Sequence, residues 1–482
     1  MAARGANGGG RKWLILSAIS LGTFMTTLNA SIVNISLPTM ATDFDVSIAE
    51  VEWVVIAFLL ATGALLLTFG RAGDIYGYKR VYLAGFALFA LAGTLCGISQ
   101  GVGQLVGLRT LQGIGAGMVQ AIGPAIVTSA FSPQERGKAL GLNAMSVAVG
   151  LSLGPTLGGV LTEWFSWRWV FFINLPIGIL GVFWAFRVLA SERREDAGQR
   201  FDLSGAILGS GAFLGLLLAL SEGSSWGWGS FRTIGLLATF ALLGSAFMLT
   251  ELRVRQPMLD LKLFTIRSFS AANASLLVAF TALFAANFLL PFFLERGQEL
   301  SPLESGLLLT ALPLAILVVA PLSGIFSDKI GTRIPSAAGM AILTVGLFLL
   351  TSIDAETSHW DLLWRFAIVG AGIGLFNSPN QSSILGSVSR GRLGIASGMI
   401  SQMRYTGQAL GIAVGAAVIT SRIPVHIQEL AGTMSQPLVE RKAFILAIHD
   451  SFYVAGAVCV VGILTSMVRS QEQTTTEGEG KR

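Results

Sequence analysis

The sequence Gly70-Arg-Ala-Gly-Asp-Ile-Tyr-Gly-Tyr-Lys-Arg80 separates two apolar runs, each of roughly twenty residues. A run of about 20 apolar residues crosses the hydrocarbon core of a bilayer as one helix, so we predict that this segment is a short loop at a membrane face. Lys79 and Arg80 assign the loop to the cytoplasmic side, because Lys and Arg accumulate in cytoplasmic loops. The orientation of the other predicted spans follows from this assignment.

The composition is that of a polytopic membrane protein. Of 482 residues, 53% are hydrophobic and 12% are charged, whereas soluble domains carry about 25% charged residues. The net charge of +5 does not indicate nucleic-acid binding, since the sequence has no basic patch interleaved with aromatic residues to follow a phosphate backbone. We therefore predict an all-α membrane protein with the lipid bilayer, and no nucleic acid, as its partner.

The Cys and His residues indicate neither a disulfide nor a metal site. Cys96 and Cys459 lie inside apolar runs, and His359, His426 and His449 lack metal-ligand spacing. The sequence also contains no Gly-x-x-x-x-Gly-Lys-Ser/Thr phosphate loop, which argues against ATP as the direct energy source. We predict no cofactor.

Fourteen apolar runs predict fourteen transmembrane helices. They fall at 13–36, 53–69, 81–98, 105–131, 139–161, 169–189, 203–220, 234–249, 269–294, 306–326, 337–353, 362–385, 395–420 and 444–468. The distribution of Lys and Arg favours a topology with both termini in the cytoplasm. The short loops and the lack of an organelle address predict a bacterial or archaeal plasma (inner) membrane. The polar connectors divide the chain into an N-terminal six-helix bundle (1–190), two additional helices (191–267) and a C-terminal six-helix bundle with a tail (268–482).

The two six-span blocks repeat each other at a nearly constant offset. The matching pairs are Asp74 with Asp328 at 254 residues, Arg109 with Arg365 at 256, and Asn29 with Asn287 at 258. Internal repeats of this kind are typical of transporters, which bind their cargo near the bilayer midplane between the two halves. The repeat therefore predicts a polar cavity between the blocks.

The repeated acidic loops are candidates for gating. Asp74 precedes Arg80 in the first loop, and Asp328 occupies the matching place in the second. A carboxylate at a helix end can pair with an arginine or cap a neighbouring helix N-terminus, so it can hold two helices together in one state and release them in the other. The alternative is a solvated loop whose charges only set the topology.

The fourth run contains an arginine, in Leu108-Arg109-Thr-Leu-Gln112-Gly113-Ile-Gly115-Ala-Gly117. A cation inside the membrane is costly unless it meets a partner or water, which makes Arg109 and the adjacent Gln112 functional candidates. The alternative is that Arg109 extends its side chain to the outer interface. The glycines lack the βαβ context of a dinucleotide loop.

The fifth run contains Gly150-Leu-Ser-Leu-Gly154-Pro155-Thr-Leu-Gly158-Gly159. Glycines at i, i+4 and i+8 lie on one helix face and allow another helix backbone to approach closely. Pro155 adds a kink within the same stretch. Close packing without any other role is the alternative for this motif.

These motifs, with Trp167-Arg-Trp and Asn174-Leu-Pro-Ile-Gly178 at the sixth span and Leu28-Asn-Ala-Ser-Ile-Val-Asn-Ile-Ser-Leu-Pro38 in the first, resemble the fourteen-span drug:proton antiporters of the major facilitator superfamily. The resemblance covers nearly the whole chain. It implies the major facilitator fold, with two six-helix bundles plus two extra central helices. It also implies export of amphipathic cations, dyes and antibiotics, an antiporter role for the glycine-proline stretch, and a role for Arg109 in proton coupling.

The chain departs from this family in its first helix. The family usually carries an aspartate there, and this chain has Asn29, which cannot titrate. No carboxylate falls near a predicted midplane, so proton coupling follows from the resemblance and not from the residues. Glu222 and Asp450, at predicted outer ends, are the first candidates for a proton relay, with solvated loop charges as the alternative.

A set of amides and one arginine lies at predicted midplane depth. The candidate cavity residues are Asn29, Asn34, Asn287, Asn377, Gln381, Arg404 and Gln408, with Asn273, Asn380 and Gln402 in the same zone. They predict a mostly neutral, hydrogen-bonding pocket, with interhelical hydrogen bonding as the alternative. Arg404 has no carboxylate nearby in the sequence, so it could attract an anionic group.

Three functional hypotheses follow. The first is a secondary active exporter that exchanges a small amphipathic molecule for protons, assisted by a periplasmic adaptor if the host has an outer membrane. The second keeps the transporter but changes the cargo to an anionic or zwitterionic metabolite, lipid or siderophore. The third is a non-transporting receptor or a lipid-modifying enzyme, which the sequence disfavours because the spans hold no Ser-His-Asp set or metal cluster.

Overall fold

A computed structural model describes residues 8–467 except 47, 191–201, 255, 256, 258, 301 and 433, and this part of the chain is helical without β-strands. The first eight helices are α1 (Gly8–Phe44), α2 (Ile48–Ala64), α3 (Leu66–Tyr76), α4 (Tyr78–Cys96), α5 (Val102–Ala130), α6 (Arg136–Trp164), α7 (Trp169–Phe172) and α8 (Asn174–Val188). The central pair is α9 (Leu203–Trp226) and α10 (Phe231–Arg253). The last eight are α11 (Arg267–Asn287), α12 (Leu290–Phe292), α13 (Pro302–Leu309), α14 (Ala311–Ile330), α15 (Arg333–Leu349), α16 (His359–Gly386), α17 (Leu393–Leu430) and α18 (Gln436–Met467). The all-α prediction is confirmed.

The number of spans is close to the predicted fourteen. Twelve of the described helices are long and apolar enough to cross a membrane, and the α2–α3 pair, bent by 47°, brings the number to thirteen. The remaining predicted span lies in α16, which has 28 residues and is long enough. Arg365, Asn377 and Asn380 interrupt its apolar sequence, so membrane insertion of α16 stays a prediction.

The segment at 70–80 is helical and not the predicted loop. Helix α3 continues to Tyr76 and α4 begins at Tyr78, so Gly77 alone separates them. Gly77 has φ of +93° and Gly331, at the matching place in the second half, has φ of +81°. Left-handed backbone of this kind is accessible to glycine and strained for other residues, which explains how a single residue reverses the chain.

The helices pack within two blocks that meet along a seam. In the first block α1 packs on α6 and α5 on α2 and α4, whereas in the second α14 and α15 pack on α16 and α11 on α17. Across the seam α6 contacts α14, and α3 and α5 contact α17. The predicted domain boundaries at 190 and 268 stay predictions.

The central pair lies at the periphery. Helices α9 and α10 pack on each other, and α9 also contacts α2 and α17. Only 11% of the most apolar stretch of α10 is buried within the protein. The side chains of Phe231, Leu242 and Leu252 on this helix are strongly exposed. An apolar helix surface of this kind suits contact with lipid.

Candidate functional site

Asp74 joins the two blocks at one end of the seam, which we call the inner end. Its Oδ1 accepts hydrogen bonds from the backbone N–H of Gly394, at 2.8 Å, and from the Tyr78 hydroxyl, at 2.7 Å. Its Oδ2 accepts from the backbone N–H of Ile395 at 3.0 Å. These amides belong to the first turn of α17, where unpaired N–H groups and the helix dipole favour an anion.

Asp328 makes the reciprocal contact. Its Oδ1 accepts from the backbone N–H of Gly137 at 2.9 Å, and its Oδ2 accepts from that of Lys138 at 3.0 Å. Both amides lie in the first turn of α6. Each block therefore supplies one carboxylate that caps a helix of the other block.

Glycines allow the backbones to meet beside these carboxylates. A Cβ added to Gly70 would collide with the carbonyl oxygen of Gly394, and one added to Gly324 would collide with that of Gly137. The inner end of the seam is therefore closed by direct backbone contact, with no room for a side chain on these four residues.

The cation close to Asp74 is not the predicted one. Arg80 is exposed at the start of α4. Arg71 is only 5% exposed, and its charge acts on the Asp74 carboxylate. Arg71 lies one helical turn before Asp74 and on the same face, whereas Arg80 lies beyond the break at Gly77.

Sequence reasoning missed the backbone N–H donors of both contacts. Gly137 and Gly394 are 257 residues apart, which is within the range of offsets that relate the other repeated pairs. Comparing short glycine-containing turns at that offset would have found them. Nothing in the sequence indicates that each aspartate contacts the opposite block.

Arg109 lies at the centre of a buried polar cluster in the first block. Its Nε donates to the carbonyl of Val54 at 2.9 Å, and its Nη1 donates to Asn29 Oδ1 at 2.5 Å and to Gln112 Oε1 at 2.7 Å. Its guanidinium carbon lies 4.2 Å from the centre of the Phe58 ring. Arg109 is 0% exposed, so the alternative that it extends to the interface is wrong.

This cluster has more donors than acceptors. Among the described residues no carboxylate contacts Arg109, and Arg109 Nη2, Asn29 Nδ2 and Gln112 Nε2 are buried without a hydrogen-bond partner. An aspartate at position 29 would supply the missing negative charge. Dipoles and the rings of Phe58 and Phe171, whose centres lie 4.2 Å and 5.8 Å from the guanidinium carbon, therefore offset the buried charge.

The glycines of α6 position α1, which carries Asn29. A Cβ at Gly150, Gly154 or Gly158 would approach α1 backbone or side-chain atoms within about 3 Å, at Leu28, Ser31 and Ile32 respectively. Gly159 faces open space, with no atom within 4 Å of such a Cβ. The side chain of Pro155 lies outside the described part of the structure.

The arginine of the second block is arranged differently. Arg365 Nη1 donates to the carbonyl of Leu349 and to the Ser352 hydroxyl, both at 2.9 Å, and the residue is partly exposed. The structure does not bring it to Asn287. The sequence repeat at Arg109 and Arg365 therefore does not extend to the polar contacts of the two arginines.

The remaining cavity candidates lie on α1, α11, α16 and α17. Gln381 Nε2 donates to Asn377 Oδ1 at 2.9 Å, and the Arg404 guanidinium lies 5.8 Å from the centre of the Phe280 ring. Asn34 is exposed, whereas Asn287 and Gln408 are half-buried. Among these seven candidates, Asn377 and Gln381 are the pair joined to each other by a hydrogen bond, and Asn29 belongs to the Arg109 cluster.

A further polar contact crosses the seam at mid-depth. Gln120 Nε2 on α5 donates to the Tyr405 hydroxyl on α17 at 3.1 Å, and the Ser401 hydroxyl donates to the Gln120 carbonyl at 3.1 Å. Tyr405 follows Arg404 directly, so this contact fixes the turn of α17 that carries the guanidinium. Neither Gln120 nor Tyr405 was among the predicted site residues.

At the opposite end, which we call the outer end, an ion pair ties the last turn of α1 to the start of α7. Asp43 Oδ2 accepts from the indole N–H of Trp167 at 3.0 Å and from Arg168 at 2.9 Å. These hydrogen bonds hold the pKa of the Asp43 carboxyl below its usual value. The Trp-Arg-Trp motif thus has a structural partner in α1.

Comparison with known proteins supports a common origin with membrane transporters. A model of the Major Facilitator Superfamily matches residues 19–412 and, separately, 273–481. The chain is 33% identical to the riboflavin transporter RibZ of Clostridioides difficile, over 95% of this chain and 97% of that one. It is 34% identical to the multidrug resistance protein Stp of Mycobacterium tuberculosis, over 86% and 77% of the two chains.

Two further transport proteins are also similar to this chain. The chain is 31% identical to the tetracenomycin C resistance and export protein of Streptomyces glaucescens, over 86% of this chain and 77% of that one. The crystal structure of the human organic anion transporter MFSD10 (TETRAN) superimposes with a TM-score of 0.63 at 16% identity, over 93% of this chain and 99% of that one. At that identity the superposition establishes a shared fold.

Proposed function

The chain belongs to the Major Facilitator Superfamily and is a multi-pass membrane transporter, and from that premise we propose that it exports small amphipathic molecules by alternating access in exchange for protons. Drugs, dyes and antibiotics are the proposed cargo. The family match rejects the third hypothesis, because the relatives are transporters and not enzymes. We place the protein in the plasma membrane with both termini in the cytoplasm.

The reciprocal carboxylate contacts at the inner end carry this proposal. Asp74 and Asp328 each accept two backbone N–H groups of a helix in the other block. Contacts of this kind are strong while the helices stay together and are replaced by water when they separate. They are suited to stabilise an inner-closed state that alternates with an inner-open one, which is the requirement of alternating access.

The functions named for two relatives support export of drug-like cargo. A multidrug resistance protein and a tetracenomycin C resistance and export protein are each more than 30% identical to this chain. The role of protons is supported by the family resemblance and by Arg109, a buried cation whose polar cluster links α1, α2 and α5. Asn29 takes no part in proton transfer because an amide does not titrate.

A second cargo class is favoured by Arg404. Its guanidinium lies over Phe280, which stacks on Phe284 at 6.2 Å between ring centres, and no carboxylate of the described residues pairs with it. A flat aromatic molecule with an anionic or polar group would complement these side chains. The relative named as a riboflavin transporter is consistent with cargo of this chemistry.

Transport by purified protein in liposomes with an imposed pH gradient tests both candidates. Gradient-driven accumulation of ethidium that collapses with a protonophore supports the first. Accumulation of riboflavin that does not respond to the gradient supports the second. Transport of neither probe, by protein that is folded and inserted, contradicts both cargo assignments.

Variants of the inner-end contacts test the mechanism in the same assay. We expect Asp74→Asn combined with Asp328→Asn to lower the transport rate at least about tenfold, since each charge-assisted contact contributes about 1.5–3 kcal/mol. Glu163→Gln is the matched control, because Glu163 is exposed at the end of α6 away from the seam. An unchanged rate in the double variant would exclude these contacts from the transport cycle.

A further inference from the structure

Four charged or titratable side chains meet at the outer end of α17 and α18. The His426 ring lies between two carboxylates, with Nδ1 2.9 Å from Glu429 Oε2 and Nε2 2.8 Å from Asp450 Oδ2. Arg422 Nε donates to the same Asp450 oxygen at 2.5 Å. We call these four residues the outer cluster.

The outer cluster lies near the outer end of α17 and in the outer half of α18. His426 follows Leu393, the first residue of α17, by 33 positions, which is about 50 Å at 1.5 Å per residue. The first turn of α17 binds Asp74 at the inner end, and the hydrocarbon core is about 30 Å thick. The cluster therefore faces the predicted extracellular side.

The geometry requires one proton more than neutral His426 carries. A neutral imidazole has a single N–H, so it can donate to only one carboxylate. The other ring nitrogen would then place its lone pair less than 3 Å from a carboxylate oxygen, which is repulsive. Both contacts are favourable only when the ring carries two N–H groups, or when one carboxyl carries the proton.

The net charge of the outer cluster also indicates that one proton is missing when His426 is neutral. With a neutral imidazole, Arg422 contributes one positive charge against the two carboxylates of Glu429 and Asp450, and the cluster is negative by one unit. One added proton makes it neutral. The His426 side chain is 9% exposed and that of Asp450 is 28% exposed, whereas that of Glu429 is 59% exposed, so water screens the contact with Asp450 less than the contact with Glu429.

Other titratable groups at this end have contacts of their own. His449, on α18, lies with its Nε2 2.5 Å from the carbonyl oxygen of Ile353, and the charges of Asp354, Asp450 and His426 act on it. Arg441 on α18 pairs with Glu299 at 3.1 Å. His449 and Arg441 therefore have hydrogen-bond or ion-pair partners other than the two carboxylates that hold His426.

We propose that the outer cluster is a proton-binding site, in which His426 takes up one proton from the extracellular side. The proton adds to a ring-nitrogen lone pair, forms one N–H bond and breaks no bond in the protein. Pro424 lies inside α17 between Arg422 and His426, and a proline removes one helical hydrogen bond. Proton binding therefore strengthens the contact between His426 and Asp450, which holds the segment of α17 after Pro424 against α18.

The site can influence gating because α17 extends to both ends of the seam. Its first turn binds Asp74 and its last turns bind Asp450. A change in the position of its outer segment can therefore alter the inner contact through one continuous element. This coupling rests on the proposed function, whereas proton binding by the outer cluster does not.

The test is the pH dependence of the melting temperature of the full-length protein in nanodiscs, without substrate or gradient. As the pH is raised from about 5.5 to about 8, we expect the Tm of the wild type to fall by about 2–4 °C more than that of His426→Gln, because the added proton stabilises the cluster only while it is bound. Glu429→Gln should also lose this difference, because a glutamine no longer requires the second N–H. Its position is exposed, so this variant is expected to fold even if His426→Gln does not.

His359→Gln and His449→Gln are the matched controls, since these are the only other histidines of the chain. Both should keep the wild-type pH dependence. The proposal is overturned if Glu429→Gln and His426→Gln keep it, or if His449→Gln removes it. These outcomes are independent of transport, so a protein that moves neither ethidium nor riboflavin can still pass or fail this test.

Discussion

Arg109 carries a positive charge that is 0% exposed and that no carboxylate of the described residues contacts. Amide and carbonyl oxygens of Asn29, Gln112 and Val54 take three of its donor contacts, and Nη2 has none. Burying an unpaired charge is costly. Burial of Arg109 therefore lowers the stability of the first block, as expected of a functional position in a membrane protein.

Replacing Asn29 tests this interpretation at the residue scale. Asn29→Asp places a carboxylate against a guanidinium that is already buried, so we expect stabilisation by about 1–3 kcal/mol at neutral pH. The gain should disappear as the pH falls, because a carboxylate paired with arginine has a lowered pKa and stabilises only while ionised. Melting temperatures measured across the acidic range provide the readout.

Asn174→Asp is the control for that prediction. Asn174 is buried in the same block, and its amide donates to the carbonyl of Phe171 at 2.9 Å. An aspartate there would face a carbonyl oxygen, so this variant should be less stable than the wild type at neutral pH. If Asn29→Asp is destabilised to the same extent, Arg109 is not short of negative charge.

At the scale of elements, the inner end is closed by helices that meet through glycine. Helices α3 and α17 touch at Gly70 and Gly394, and α6 and α14 touch at Gly137 and Gly324. The carboxylates beside them can reach the opposite N-termini only because the backbones approach so closely. A glycine contact and an aspartate cap therefore occur side by side at two places, and each block supplies one of the two aspartates.

Gly394→Ala is expected to destabilise the inner-closed state by about 1–3 kcal/mol, because its methyl group would overlap the Gly70 carbonyl oxygen and the Asp74 carboxylate. A lower melting temperature and weaker protection of the α17 N-terminus from hydrogen exchange provide the measurements. Gly159→Ala, where the added methyl group meets open space, should leave both unchanged. Equal effects of the two substitutions would contradict the packing argument.

At the scale of the whole molecule, the two blocks are in contact at the inner end and are joined at mid-depth by Gln120 and Tyr405. A state closed at this end is one of the two that alternating access requires. In the alternating-access cycle that we propose, the opposite state breaks these contacts together, since rigid blocks separate as units. Loss of the carboxylates should therefore favour inner-end opening.

Distances between spin labels on Arg80→Cys and Ile334→Cys, exposed at the inner ends of the two blocks, measure this opening. We expect a narrow distribution in the otherwise unchanged protein and a population at longer distance when Asp74→Asn and Asp328→Asn are added. Cys96 and Cys459 are buried and should not label. A label pair within one block, on Leu14→Cys and Arg80→Cys, should not respond, and an unchanged distribution between the blocks would exclude the carboxylates as determinants of closure.

Much of this architecture could be predicted from apolar run length, glycine spacing and the internal repeat. Gly150, Gly154 and Gly158 pack against α1, as helix periodicity predicts, whereas Gly159 faces open space. Arg109 is buried, as its place inside an apolar run predicts. Arg80, which the sequence suggests as the cation beside Asp74, is exposed, whereas Arg71 is buried near Asp74. The break at Gly77 decides which side of α3 and α4 faces the seam, and run length carries no information about it.

The class of protein, most of the helical spans and the positions of the repeated aspartates could be predicted from the chain alone, because hydrophobic length and local spacing are local properties. The contacts by which each aspartate caps a helix of the other block, and those that hold His426 between Glu429 and Asp450, appear only once the chain has folded. These contacts join residues up to 321 positions apart or on separate helices. Their geometry depends on how the helices cross, which is set by close backbone packing across the whole molecule and not by any single segment.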